Sequence, residues 1–473
     1  MTSRLSSLLS IDELAEGLTP SAHSRMSLER SPSGLHQGFR FEVISAPAEL
    51  ADHAADWDDL AADAIEANVF HERWMLLPAM RAYGRQADLM MVLAYAERPG
   101  RPPLLCGLFP LERVQRYKGL PFPHLKLWRH KHCYLGTPLL RRNEARNCLA
   151  ALMEWLSRDA RGAPLIEWDL VASDGLFYAT LTEVLATARL PRFVSMAVTR
   201  AVIRPRSDAA SFLSMSMPQK SLRELGRVER RLQERGLLAY ESLNDPGQAE
   251  QWISEFMTLE ALGWKGRRGS ALGSSPENRA FFLDAAREAA KLDRLIMMRM
   301  SLDGRAIAMK CNLRAADGCF AFKIAYDESY AKFSPGLLLE LEHVRMIHAR
   351  PELKWVDWCS EPDHFMANRL SLDRRALATL VTATGRSPGK WLVTLLPALR
   401  GCVRLLRAAL TRSRAVQAGE PLKASPAVQG KHAVDREEEL KSTARRQPTR
   451  KSITDSVERP LRRNSMNATR AAM

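Results

Sequence analysis

Apolar and polar positions along the chain sort it into short strands and amphipathic helices that come in nearly the same order twice. Phe41-Glu42-Val43-Ile44 reads as a first strand, and Leu50, Ala54, Trp57 and Leu60 recur at helical spacing, predicting a helix over 48–67. The apolar runs 89–95 and 104–111 flank Arg98-Pro99-Gly100-Arg101-Pro102-Pro103 and predict neighbouring antiparallel strands. A helix over 143–158, a strand over 164–170, a helix over 181–188 and a strand over 194–203 complete a first unit.

The second unit begins with a helix over 220–235 and a strand over 237–242, followed by helices over 246–262 and 276–292. Runs 295–302, 306–314 and 319–326 then form a three-stranded meander, turned at Asp303-Gly304 and Asp317-Gly318, a dipeptide that favours tight hairpins. A helix over 337–349 and a strand over 355–359 close the unit. The recurrence predicts an α+β tandem with lobes at 40–206 and 207–385. Residues 1–39, Ser-rich with Pro20, Pro32 and Gly34, read as a flexible leader. Segment 386–414 places Leu392, Leu395, Leu396, Leu399, Val403 and Leu406 on one side, with Arg400, Arg404 and Arg407 as charge and Pro397 as a kink. Such a basic amphipathic helix either docks on the protein body or lies on an anionic membrane surface. Residues 415–473 read as a disordered basic tail.

Composition adds bounds to this picture. With 473 residues, 46% hydrophobic and 26% charged, the chain has the make-up of a globular protein with a sizeable core. The net charge of +15 suits polyanionic partners, although much of it lies in the tail. Zinc-finger spacing, a helix-turn-helix signature and RNP-like motifs are missing from the sequence, which argues against nucleic acid as the main ligand unless tRNA is the donor. Seven scattered cysteines without a C-x-x-C pair speak against a disulfide framework or structural zinc and suit a reducing cytoplasm. His124, His130 and His132 have no carboxylate at ligand spacing, so no metal is expected; the aromatic, basic stretch 116–132 suits the lining of a cleft at the lobe junction. Acids at Asp12, Glu13 and Glu16 do not fit a signal peptide, and no run approaches the ~20 apolar residues of a membrane span.

Chemistry concentrates in Ile324 to Leu339. A strand ends near Tyr326, a loop follows, and a helix starts after Pro335-Gly336, where free amides and the helix dipole attract phosphate and Gly336 lets backbone approach a ligand closely. A Pro-Gly pair alone is usually just a turn. In order, Trp264-Lys265-Gly266-Arg267, Leu302-Asp303-Gly304-Arg305-Ala306-Ile307-Ala308, Tyr326-Asp327 with Tyr330, and Ser334-Pro335-Gly336-Leu337-Leu338 resemble the acetyltransferase domain of cellulose-biosynthesis (CelD-type) proteins. That group lies in the GNAT superfamily and is similar to the FemAB peptidyltransferases; the likeness covers roughly residues 41–380. It implies tandem GNAT-like lobes with mainly antiparallel sheets, acetyl-CoA as acyl donor, and Ser334, Pro335, Gly336, Leu337 and Leu338 near its pyrophosphate. It also implies N- or O-acyl transfer to a small-molecule or saccharide acceptor in exopolysaccharide or envelope synthesis. The loop lacks the fuller Gly-rich phosphate loop of many GNAT enzymes, and FemAB-like relatives take their group from aminoacyl-tRNA. A third reading is a non-catalytic scaffold of the same fold.

Direct transfer needs a base for the nucleophile's proton and an acid for the departing thiolate. Tyr326 and Tyr330 are the acid candidates; Asp327, Glu361, Asp363 and His364 are the base candidates. Where many family members carry a Tyr-Lys pair, this chain has Phe365-Met366. Trp264, Lys265 and Arg267 either contact an acidic substrate or cap a helix end. Lys220, Arg223, Arg227, Arg230 and Arg231 form one basic helix face, by default a solvated one.

Overall fold

The computed structural model describes residues 38–401, apart from 160 and 207. The leader through residue 37, the tail from 415 and the 402–414 part of the amphipathic segment lie outside the described residues. Strands β1 (Phe39–Ile44), β2 (Leu89–Arg98), β3 (Arg101–Val114), β4 (His124–Leu127), β5 (Leu139–Leu140), β6 (Leu165–Ala172) and β7 (Arg192–Ile203) belong to the N-terminal lobe. The C-terminal lobe contributes β8 (Leu238–Ser242), β9 (Leu295–Leu302), β10 (Arg305–Ala315), β11 (Gly318–Tyr326), β12 (Trp355–Asp357) and β13 (Asp373–Ala383). All join one mixed sheet, in the order β1-β2-β3-β4-β6-β13-β7-β12-β11-β10-β9-β8, with β5 beside β3.

That order is a palindrome. Each lobe lays down four antiparallel strands (β1–β4; β8–β11), then a strand parallel to the fourth (β6 on β4; β12 on β11). Each lobe's last strand crosses over: β13 pairs with β6, β7 pairs with β12, and the two pair with each other. The expected tandem is therefore a mixed α/β fold closed by exchanged strands. The exchange is fixed by a buried cluster, in which Asp357 on β12 accepts from Arg200 on β7 and Arg375 on β13, at 2.7 Å each. Burial pushes the Asp357 carboxyl up, but the two guanidiniums outweigh it and hold it below its ordinary range.

Helices cover both faces. On one face α1 (Ala54–Ala62) and α2 (Arg73–Tyr83) meet α7 (Ala249–Leu262) and α9 (Pro276–Lys291) over a single core spanning both lobes. Tyr83 on α2 donates to Asn278 on α9 at 2.9 Å. On the other face α3 (Ala145–Arg158) and α4 (Leu176–Thr187) cover the N-terminal half, while α5 (Ala209–Ser216), α6 (Gln219–Gln233), α10 (Pro335–His348) and α11 (Phe365–Arg369) cover the C-terminal half. The short α8 (Trp264–Arg267) follows α7.

Local chemistry explains most of these elements. Ser275 caps α9 by accepting from Asn278 N, with Pro276 in the first turn. Asp303 and Gly304 both take positive φ, as the β9–β10 turn requires. At the next hairpin the left-handed residue is Ala316, and Gly318 opens β11 beneath Trp355, whose ring an added Cβ would meet at 1.8 Å. Residues 389–401 are helical and dock Val393 and Leu396 against Tyr117, Leu165 and Val381. The opposite stripe stays open to solvent, with Trp391 74%, Leu395 53% and Leu399 45% exposed. Among the described residues no helix is long and apolar enough to cross a membrane.

Candidate active site

The site is created where a parallel pair stops. β12 follows β11 only over Gly318–Phe320, against Trp355–Asp357. Trp358 then bonds across to Ala201 on β7, so the edge of β11 from Ala321 to Tyr326 has no strand beside it. A cleft of about 420 Å³ lies there, lined by residues from both sheet faces. On the α7 side it is lined by Glu260, Trp264, Lys265 and Lys323; on the α10 side by Lys310, Glu340, Tyr326, Trp358 and His364, with Glu361 at the rim.

Ionisable groups are unusually deep here. Lys310 and Glu340 form an ion pair at 2.6 Å with only 2% and 1% of their side chains exposed. Glu340 also meets His343 Nδ1 at 3.1 Å, and His343 Nε2 meets Asn312 at 3.1 Å. Burial pushes Glu340 up, yet Lys310 and His343 outweigh it and hold the carboxyl low; burial, with the Lys310 charge, brings His343 down to about 4. Lys310 also lies 5.2 Å from the Trp358 ring centre. On the other side Lys265 donates to Glu260 at 3.0 Å and to the Ile324 carbonyl at 2.7 Å. That carbonyl points away from β10, so Lys265 grips the open strand edge.

The structure brings some of the sequence candidates together and leaves others apart. Tyr326, Glu361, His364, Trp264 and Lys265 line the cleft. Tyr330 instead packs among the α10-side core residues. Asp327 caps the turn that follows β11, accepting from Ser329 N at 2.9 Å and pairing with Arg305 at 3.0 Å. Asp363 is exposed and outside the cleft lining, and Arg267 pairs with Glu328, which also accepts from Trp264 N. His364 uses Nδ1 to accept from Ala367 N at 3.2 Å, capping α11. In the neutral ring this puts the proton on Nε2.

The turn entering α10 differs from the expected cluster of open amides. Pro335 has no N–H, and the amides of Leu337 and Leu338 both donate to the Ser334 carbonyl, at 3.0 and 3.1 Å. Ser334 is exposed at φ 50°, Pro335, Gly336 and Leu338 are buried, and Leu337 is half-buried. Gly336 sits against Tyr326, whose Cδ1 lies 3.4 Å from where a Cβ would be. The helix start thus offers one amide, that of Gly336, and positions the tyrosine.

Sequence reasoning passed over Lys310, Lys323, Glu260, Glu340 and the N-terminal lobe's Tyr134. A signal was present: Lys310 and Lys323 each interrupt an apolar strand of a sheet covered on both faces, where an ion needs a partner or a purpose. His130 and His132, weighed earlier for metal, stack on Tyr83 and Phe281 at ring separations of 5.2 and 5.5 Å. No group of three His, Cys, Asp or Glu among the described residues is placed to hold a metal ion.

No curated protein matches the chain. Among solved structures it is similar to FemX, at 10% identity over 70% of this chain and 95% of that one, with a TM-score of 0.46. It is similar to the C-terminal domain (DUF2156) of a putative lysylphosphatidylglycerol synthetase from Agrobacterium fabrum, at 11% identity over 70% and 91%, TM-score 0.42. A tandem GNAT protein from the clavulanic acid biosynthesis pathway is similar at 13% identity over 74% and 99%, TM-score 0.35. Residues 219–365, from α6 to the start of α11, match the family described as Acetyltransferase (GNAT) domain. All of the cleft lining but Met366 falls within that stretch, and the chain is a transferase with a segment that matches a GNAT acetyltransferase domain.

Proposed function

We propose that the C-terminal lobe transfers an acyl group from acetyl-CoA to an amine or hydroxyl held in the β11–β12 cleft. The observation that carries this is the strand edge from Ala321 to Tyr326 that no neighbouring strand pairs, with only the Ile324 carbonyl taken by Lys265. An extended, amide-bearing chain such as the pantetheine arm of the donor can bond to such an edge as an added strand would. Residues from both sheet faces line the cleft, so donor and acceptor are taken to approach from opposite faces. Tyr326 stands on the α10 side, beside Gly336, as the acid for the departing thiolate. Glu361 at the rim is the base, because the His364 ring presents N–H rather than a lone pair. The resemblance to CelD-type acetyltransferases directs the search for acceptors to saccharides and other envelope components.

Acetyl-CoA should raise the thermal midpoint of the protein. Ala321→Phe, which fills the cleft, should abolish that rise; Tyr326→Phe should keep it while slowing thiol release about 10²-fold or more. A rise that survives Ala321→Phe would sink the assignment of the cleft. A second reading, aminoacyl-tRNA as donor, draws on α6. Its Arg223, Arg230 and Arg231 are exposed and make no ion pair among the described residues, and the helix packs on the Glu328–Phe333 turn leading to α10. Strongly salt-dependent binding of aminoacylated tRNA, with no response to acetyl-CoA, would favour it.

The Trp391, Leu395 and Leu399 stripe, with exposed Lys390 and Arg400 beside it, supports peripheral contact with an anionic membrane. Sedimentation with anionic but not neutral vesicles, lost in Trp391→Glu, is the expected result; equal sedimentation of the variant would refute it.

A further inference from the structure

The cleft contains a cation that forms no ion pair among the described residues. Lys265 and Lys310 are matched by Glu260 and Glu340. Lys323, half-buried in the same wall, has no carboxylate within 4.0 Å among the described residues. Its Nζ donates to the Tyr134 hydroxyl at 2.9 Å and lies 5.6 and 5.4 Å from the ring centres of Tyr134 and Phe322. Burial pushes the ammonium's pKa down, and the Glu260 carboxylate only partly opposes this. A charge drawn out of water and left without a counter-ion is costly, and an incoming anion removes that cost.

Tyr134 stands beside this ammonium. It comes from the N-terminal lobe, and its carbonyl accepts from Arg200, which Asp357 holds in turn. Its ring meets Phe70 edge-on at 5.7 Å and Phe322 at 6.0 Å. The hydroxyl accepts from Lys323, so its own proton remains available for donation. Lys323 lies on the α7 side of β11, whereas Tyr326 lies on the α10 side. Ammonium and phenol are therefore two donors on the sheet face opposite Tyr326.

We propose that the acceptor carries a carboxylate or phosphate, bound by the Lys323 ammonium and the Tyr134 hydroxyl at the lobe junction. The proposal rests on the cleft being the transfer site, and it gives the N-terminal lobe a part in substrate choice. Thermal midpoints of the full chain in succinate and in inorganic phosphate, against chloride at equal ionic strength, test it and tell the two anions apart. They are read with and without acetyl-CoA for wild type, Lys323→Met, Lys323→Arg and Tyr134→Phe. One anion should stabilise wild type. Its apparent Kd should rise about tenfold or more in Lys323→Met and less in Tyr134→Phe, with Lys323→Arg retaining most of the affinity. The acetyl-CoA response should persist in all of them. An anion response that Lys323→Met and Tyr134→Phe both keep, or none in wild type while acetyl-CoA still binds, overturns the proposal. Anion binding without any acetyl-CoA response would leave the anion site standing and remove the transferase reading beneath it. Should Lys323→Met fail to fold, Tyr134→Phe, which keeps the ring packing, decides: unchanged anion affinity there counts against the anion site.

Discussion

The two lobes place a parallel strand pair at the same point of the sheet and treat it in opposite ways. In the C-terminal lobe the connection after β11 runs only from 327 to 334, turns straight into α10 and leaves the strand edge open. In the N-terminal lobe the connection after β4 runs from 128 to 144 and fills the corresponding gap. There Arg129 pairs with Asp169 of β6 at 2.9 Å, Gly136 N donates to Leu170 O at 2.9 Å, and Ala172 N donates to the Thr137 hydroxyl at 3.1 Å. Asn68 ties the same segment down through the carbonyls of Leu135 and Thr137. The same topology thus yields a cleft or a sealed seam, according to whether the following loop doubles back along the exposed edge. The sealed lobe still matters to the open one, because the filling segment carries Tyr134, whose hydroxyl accepts from Lys323 of the cleft lining at 2.9 Å.

The largest effect is expected where both seams meet. Asp357→Ala leaves Arg200 and Arg375 buried without their counter-ion and should cost about 3–5 kcal/mol, measured by denaturant unfolding. A cost below about 1 kcal/mol would show that the exchanged strands are held by other contacts. Acid should act next, through the sealed seam. Burial lowers His71 to about 4 and His132 to about 3, so both are neutral in the folded protein and protonate more readily once unfolded. With folded pKa values below the ordinary 6.5, their contribution is complete above that pH and is lost as pH falls towards 4 and 3. On the order of 3 kcal/mol from His71 is at stake, and His71→Gln should flatten the acid limb of stability against pH. An unchanged limb would mean that other groups dominate. The smallest effects come from a matched pair of glycines. An added Cβ at Gly136 would meet the Asp169 carbonyl oxygen at 1.9 Å, so Gly136→Ala should force the filled seam apart at about 1–3 kcal/mol. At Gly336 the nearest atom is 3.4 Å away, and Gly336→Ala should shift stability by less than about 1 kcal/mol in either direction. Similar costs at the two positions would contradict the contrast between a packed and an open loop.

Legibility followed the range of the interactions. Strands and helices set by their own periodicity and caps stand where the residues put them, as in the 295–326 meander and in α9 behind Ser275-Pro276. Helix α2 escaped notice because Pro78 interrupts its pattern, and α5 because it is short. The parallel strand β4 falls in the aromatic, basic stretch 116–132, where no alternation marks it, and β13 opens on Asp373-Arg374-Arg375, which has the pattern of surface. Arg375 there answers Asp357, a contact no local window can contain. The same limit applied to the site. Tyr326, Glu361, His364, Trp264 and Lys265 were within reach of one segment's logic, whereas the Lys310–Glu340 pair and the Lys323–Tyr134 contact join residues far apart in sequence.

The crossing of β7 and β13 also dictates an order of assembly. During synthesis β6 waits for its neighbour until residue 383 has left the ribosome, more than two hundred residues later by the pairing of Leu377 with Ala172. Until then the nascent first lobe presents the bare flanks of Leu165–Ala172 and Arg192–Ile203, and such flanks invite pairing with a second polypeptide. A fragment cut at the lobe boundary would keep that hunger permanently and would be expected to satisfy it by swapping strands with another copy of itself.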